Sequence, residues 1–210
     1  MRISHSELEA CRTNPAEWAA NKLRPRRFIR AGYNHVTRLA IYKYHQANDS
    51  TAAVLHLRSL LDRFNLSNIA RGEDCERDLE SYIDWAESGT LIVAARKVRV
   101  SLDIGTGWTL GGEISRVDLL PETGGYRGIL LHANTLGWQE QLRMPLLQRA
   151  LGGTFRRNEA EFQIGVQSLD GRELETNIFS KVEIDRAETA ARELARVLEH
   201  EYRRIRGQTS

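Results

Sequence analysis

Apolar positions recur at helical spacing through the first half of the chain and then at strand spacing. Leu8, Cys11 and Trp18 fall on or near one face of a segment running from about Glu7 to Leu23, with Ser4 or Ser6 placed to cap it. Pro25 interrupts that pattern. After Gly32, Val36, Leu39, Ile41 and Tyr44 mark a second helix. Val54, Leu57, Leu60, Leu61 and Phe64 mark a third, and Cys75, Leu79 and Ile83, with Tyr82 and Trp85, a fourth.

From Thr90 the period changes. TLIVAARKVRVSLD alternates at Val98, Val100 and Leu102, which predicts a strand. The glycine-rich GTGWTLGG sits between strands rather than opening a helix, so its GTG reads as a hairpin turn and not as a nucleotide cradle. GGEISRVDLL and YRGILLHA follow as strands, separated by the ETGG turn. GWQEQLRMPLLQRAL then reads as a helix, in which Pro145 either makes a kink or begins the regular turns. EAEFQIGVQSL and RELETNIFSKV flank an Asp170–Gly171 turn, a hairpin signal. A last helix is expected to start at Asp185, with Glu188 completing a capping box and Leu194, Val197, Leu198 and Tyr202 on its apolar side. The order is helices, three strands, helix, two strands, helix. This predicts an α/β fold with a central mixed sheet flanked by helices and a helical N-terminal portion. One domain spans 1–210, helical over about 1–89, with the sheet and its flanking helices over about 90–206.

Composition adds limits. The 210 residues are 41% hydrophobic and 28% charged, as in ordinary globular proteins. No apolar run reaches the roughly 18 residues of a membrane span, and the N-terminus lacks a signal-peptide core, so a cytoplasmic protein is expected. Cys11 and Cys75 are too few for a four-cysteine metal site, and a disulfide is not expected in a reducing compartment. The net charge of +2 by itself implies no nucleic-acid partner. Its distribution does more: residues 22–30, KLRPRRFIR, hold five basic residues and no acid, and YRRIRG near the C-terminus is basic too. No phosphate loop of the G-x-x-x-x-G-K-[ST] type and no G-x-S-x-G elbow is present.

The candidate chemistry lies in the strands. Asp118 stands among Val117, Leu119 and Leu120, where a carboxylate costs several kcal/mol unless it meets a cation, a metal or donors. Three uses are open: pairing with Arg116 or Arg127, facing solvent, or binding a divalent cation. His132 ends the next strand and Asn134 follows it. A neutral imidazole suits Mn²⁺, Fe²⁺ or Zn²⁺ better than Mg²⁺.

Several strings, in order, resemble the RecB-like branch of the PD-(D/E)XK nuclease superfamily. ISHSELEACRTNPAEW is similar to the family's opening, and AGYNHVTRLAI to its histidine-bearing helix, with His35 as that histidine. GGEISRVDLL resembles the strand G-x-I-D-R-V-D, whose final acid falls on Asp118. YRGILLHANT resembles the strand bearing V-D-Y-K-T, and QEQLRMPLLQRAL the following helix, with Gln141 as its glutamine. The resemblance implies metal-dependent phosphodiester hydrolysis. Carboxylates on adjacent strands would hold Mg²⁺ or Mn²⁺, beside a lysine two residues after the second acid. Residues i and i+2 of a strand share a face, so acid and lysine meet one phosphate.

The chain departs from the pattern where cleavage would occur. His132 stands where the second acid belongs and Asn134 where the lysine belongs; Lys97 stands where relatives often carry a glutamate. The leading expectation is therefore a degenerate, non-cleaving nuclease fold that binds DNA or a protein partner in repair, recombination or antiviral defence. Lys22, Arg24, Arg26, Arg27, Arg30 and Arg203–Arg206 would contact phosphates, with Asn134 and Gln141 as further polar contacts. A dead site needs no metal. One alternative is an active deoxyribonuclease in which Asp118 and His132 are catalytic and His35, Asp118 and His132 bind Mg²⁺ or Mn²⁺. Another is an assembly subunit, homo-oligomeric or bound to a partner, anchored through Tyr33, Tyr42, Tyr44 or Trp138.

Overall fold

The computed structural model describes residues 1–24, 31–89, 91–132 and 137–208. The N-terminal helical run is two helices, α1 (Leu8–Thr13) and α2 (Pro15–Leu23). Asn14 divides them: its φ of −142° leaves the helical region, its side chain accepts from the Glu17 N–H, and Pro15 takes the first helical position, where its missing donor costs nothing. Helices α3 (Tyr33–Ala47), α4 (Ser50–Arg63) and α5 (Ile69–Ser88) follow. Asp49 and Asn68 cap α4 and α5 by accepting from backbone N–H groups three residues on.

Strands β2 (Ile92–Asp103), β3 (Thr109–Leu120) and β4 (Gly125–His132) form an antiparallel meander. Gly105, Thr106 and Gly107 all have positive φ in the first turn, which is what its glycines allow. Helix α6 (Arg143–Phe155) then crosses over to β5 (Phe162–Ser168), parallel to β4, and β6 (Leu174–Asn177) returns antiparallel through the Asp170–Gly171 turn. Pro145 sits in the first turn of α6, so it begins the helix and does not kink it. The chain closes with α7 (Lys181–Gln208).

Further features depart from the sequence reading. Arg2–Ser4 is a strand, β1, parallel to β3, which makes the sheet six-stranded. Helix α7 starts at Lys181, four residues before the expected start. Ser180 and Glu183 form the reciprocal cap, while Asp185 and Glu188 pair with Arg149 of α6. Val197 is also exposed, whereas Leu194 and Leu198 are buried as expected.

Helices cover both faces of the sheet. Leu130 of β4 packs with α6, and its neighbour Leu131 with α3, α4 and α5, because successive strand residues point to opposite faces. This explains the unbroken burial of β4 from Gly128 to Leu131. A further cluster joins Ile3 of β1, Trp18, Trp108 and the buried side of α7. Cys11 and Cys75 are free and buried, as small core residues. Among the described residues, no helix is long and apolar enough to cross a membrane.

Candidate phosphate-binding pocket

Strand β3 has two edges. β2 occupies one along nearly its whole length, from Thr109 to Leu119. The other is shared: β1 pairs with Thr109–Gly111 and β4 with Arg116–Leu120. β1 runs parallel to β3 and β4 antiparallel, so they approach the same edge from opposite ends, carboxyl end towards carboxyl end. Between them Gly112–Ser115 is left without a strand partner on that side, and the sheet forks.

A cavity of about 470 Å³ opens at this fork. His5 enters from the end of β1 and His132 from the end of β4. His35, Arg38 and Tyr42 come from α3, Lys97 from β2, and Arg143 from the start of α6. Glu113 and Ser115 lie on the stretch of β3 that has no strand partner on that side. Gly112 is required for the close approach of β1: a Cβ there would collide with the His5 ring. That ring bonds the Glu113 carbonyl at 3.2 Å through Nε2, and its Nδ1 lies 3.5 Å from the Arg143 guanidinium. The Tyr42 hydroxyl donates to Ser115 Oγ at 3.1 Å, and the Leu131 N–H donates to the same oxygen at 3.1 Å, where a ladder bond would otherwise run. The Lys97 ammonium stands 4.5 Å from the centre of the Tyr42 ring, on a residue with a φ of +47°.

The charge balance is one-sided. Among the described residues lining the cavity, Arg38, Lys97 and Arg143 are permanent cations and Glu113 is the one carboxylate. Burial, then Arg143, pushes His5 down to about 4, despite its bond to the Glu113 carbonyl. His35 is also lowered, by burial first and then by Arg38 and Lys97. At neutral pH His5 and His35 are therefore neutral donors or acceptors, and the arginines and lysine carry the charge.

Asp118 lies elsewhere. It is fully buried, three residues along β3 from Ser115, or about 10 Å at the rise of a strand. Arg116 grips it in a two-pronged ion pair, Nε to Oδ1 at 2.6 Å and Nη2 to Oδ2 at 3.1 Å, and Arg127 adds a bond at 3.3 Å. Arg116 also donates to the Tyr82 hydroxyl and to Gln167 Oε1, and lies over the Trp85 ring. Of the three uses open to Asp118, the structure has it paired with both arginines. The expectation that Asp118 would join His35 and His132 around a metal therefore fails: the two histidines line the cavity and Asp118 does not. The quoted strand pattern contains an earlier acid, and in this chain that position is Ser115, which does face the cavity.

The fit to a divalent cation is poor on chemical grounds. Both oxygens of Asp118 are occupied by guanidinium groups. The described residues lining the cavity set three cations against one carboxylate. Among the described residues, no three His, Cys, Asp or Glu side chains gather closely enough to share a metal ion. The arrangement suits an anion.

The remaining expected residues fall in different places. Gln141 lies just before α6 and not within it; its Oε1 accepts from Arg143 Nε at 2.7 Å and so positions that arginine. Lys22 is exposed, 3.7 Å from Glu7 and over the Trp18 ring, and Arg24 bonds Asn21. Arg203 and Arg204 pair with Glu199 and Glu201 on their own helix, which offsets much of the basic character of that end. Arg26, Arg27, Arg30 and Asn134 lie outside the described residues. The aromatic anchors expected for assembly are packed inward: Tyr44 and Trp138 are buried, and Tyr33 and Tyr42 are half-buried and hydrogen-bonded. His5, Arg38, Ser115 and Arg143 were missed as site residues. Only Ser115 carried a sequence signal, as the earlier acid position of the strand pattern.

No family model matches the sequence, and no curated protein does. Among solved structures, the chain is similar to a presumptive exonuclease from Eubacterium rectale. The TM-score is 0.58 at 8% identity, over 95% of this chain and 82% of that one. The fold is therefore a nuclease-like one. A second chain, SSO0001, matches at 9% identity over 88% of this chain and 84% of its own, with a TM-score of 0.29, which carries no argument.

Proposed function

We propose that this chain is a non-cleaving member of the PD-(D/E)XK superfamily, of the RecB-like kind, that binds DNA through the forked edge of its sheet. One observation carries the reading: the cavity at the strand ends of a nuclease-like fold is lined by Arg38, Lys97 and Arg143 against the single carboxylate Glu113. Cations in a partly enclosed recess attract backbone phosphates directly, by the counterion release that drives most DNA binding. The metal-dependent cleavage that the resemblance implies needs carboxylate oxygens free to hold the cation. Here the strand acid Asp118 is spent on Arg116 and Arg127, and serine and histidine stand at the other two acid positions of the motifs, Ser115 and His132.

The test is a pair of measurements on the purified chain. Binding of labelled single- and double-stranded DNA is expected to weaken linearly on a log–log plot against salt, and neither strand is cut with Mg²⁺ or Mn²⁺ present. Absence of binding at low salt sinks the reading. So does metal-dependent cleavage that Glu113→Gln abolishes.

A further inference from the structure

We infer that the fork pocket takes a phosphate monoester at the end of a DNA strand, and not the phosphodiester of a strand passing through. The inference rests on the DNA-binding reading above and narrows it. Its first support is the shape of the recess. Along the edge of β3 it is stopped at one end by β1 with His5 and at the other by β4 with His132. Across that axis it is bounded by α3 and by the start of α6. A partly enclosed recess with described walls from β1, β4, α3 and the start of α6, of a volume usual for small-molecule pockets, admits a chain end more readily than a continuous backbone.

Charge is the second support. Among the described lining residues, three cations against one carboxylate leave the pocket with a surplus of positive charge even with His5 and His35 neutral. A phosphodiester carries a single negative charge, whereas a monoester carries about −1.5 to −2 at neutral pH. The surplus therefore matches the monoester. Arg143 is buried, held from behind by Gln141 and faced by His5, so its guanidinium is already ordered before a ligand arrives. It is also the first residue of α6, which puts the positive end of that helix dipole at the same wall.

The experiment compares one DNA sequence carrying a 5′-phosphate, a 3′-phosphate or hydroxyl ends, titrated into the full chain and followed by fluorescence anisotropy. One of the two phosphorylated ends is expected to bind about tenfold tighter than the hydroxyl form, the worth of one added charge-assisted hydrogen bond. Lys97→Gln, at an exposed position, and Arg143→Gln, with folding checked by circular dichroism, are each expected to weaken binding of all three forms and to bring the phosphorylated ends down to the affinity of the hydroxyl form. Equal affinity for all three ends overturns the inference and leaves the DNA-binding reading intact. Binding of none of them overturns both. A preference that survives both substitutions places the phosphate elsewhere and also overturns it. Competition by a free mononucleotide as effective as that by phosphorylated DNA reassigns the pocket to small phosphate esters and ends the claim for DNA ends.

Discussion

At the scale of single residues, Asp118 shows how one side chain can be read correctly for its cost and wrongly for its use. A carboxylate among Val117, Leu119 and Leu120 must be compensated, and Arg116 and Arg127 compensate it. Both Asp118 and Arg116 are almost wholly out of water, so removing one strands the other. Asp118→Ala should therefore cost about 3–5 kcal/mol in urea unfolding, with little direct effect on the pocket. Replacing both together, Arg116→Met with Asp118→Leu, should recover much of that loss, because a buried ion pair and a well-packed apolar pair are of similar stability. If the double replacement is no more stable than Asp118→Ala, then the surrounding Tyr82 and Gln167 contacts, and not the ion pair, hold this part of the sheet.

At the scale of elements, the start of α7 separates two kinds of polar contact that look alike in sequence. Ser-x-x-Glu at 180–183 and Asp-x-x-Glu at 185–188 both fit a capping box. The first one caps the helix, and the second faces Arg149 across the groove to α6. Ser180→Ala should cost about 1 kcal/mol, since the Glu183 N–H loses its acceptor. Asp185→Ala removes partly exposed ion pairs with Arg149 and Lys181 and should change stability by less than about 1 kcal/mol. Thermal unfolding of the two variants tests the assignment, and a larger loss at Asp185 would reverse it. β1 is the opposite kind of case. Three residues are too few for an alternating pattern to register, and the strand exists because Gly111 and Gly112 of β3 leave room for Arg2 and His5.

At the scale of the whole molecule, the fold keeps two histidines neutral at different depths. His45, inside the α3–α5 layer, is pushed down to about 3 by burial, then by Arg116 and Arg96; it bonds the Tyr82 hydroxyl at 2.8 Å and lies beside the Tyr44 ring. His5 is held at about 4. An unfolded histidine takes up its proton near 6.5, so below that pH the unfolded chain binds more protons than the folded one. Stability contributed by these neutral imidazoles is thus present above pH 6.5 and is lost as pH falls towards 4. Each histidine should remove roughly 1.4 kcal/mol per pH unit across that window. His45→Gln should flatten the acid limb of stability measured by urea unfolding between pH 7 and pH 4.5. An unchanged limb would mean that His45 is not the group that titrates.

Periodicity and turn chemistry determined most of the architecture before any coordinate: the helices of the first half, the meander, the β5–β6 hairpin and the mixed α/β class. They could do so because they rest on local spacing, which a single segment carries in full. Part of the candidate site was named by the resembled pattern, through His35 on a helix and His132 at a strand end, whereas Lys97 stands in that pattern only where relatives often carry a glutamate. The rest was decided in three dimensions. Whether Asp118 reached the cavity or the arginines depended on how far along β3 the fork lay and on Arg116 and Arg127 standing beside it. Whether His5 and Arg143 belonged to the site depended on β1 and β4 meeting at one edge of β3, over a hundred residues apart in the chain for His5 and Arg143 themselves. Juxtaposition of distant segments is a property of packing, and no local pattern of residues encodes it.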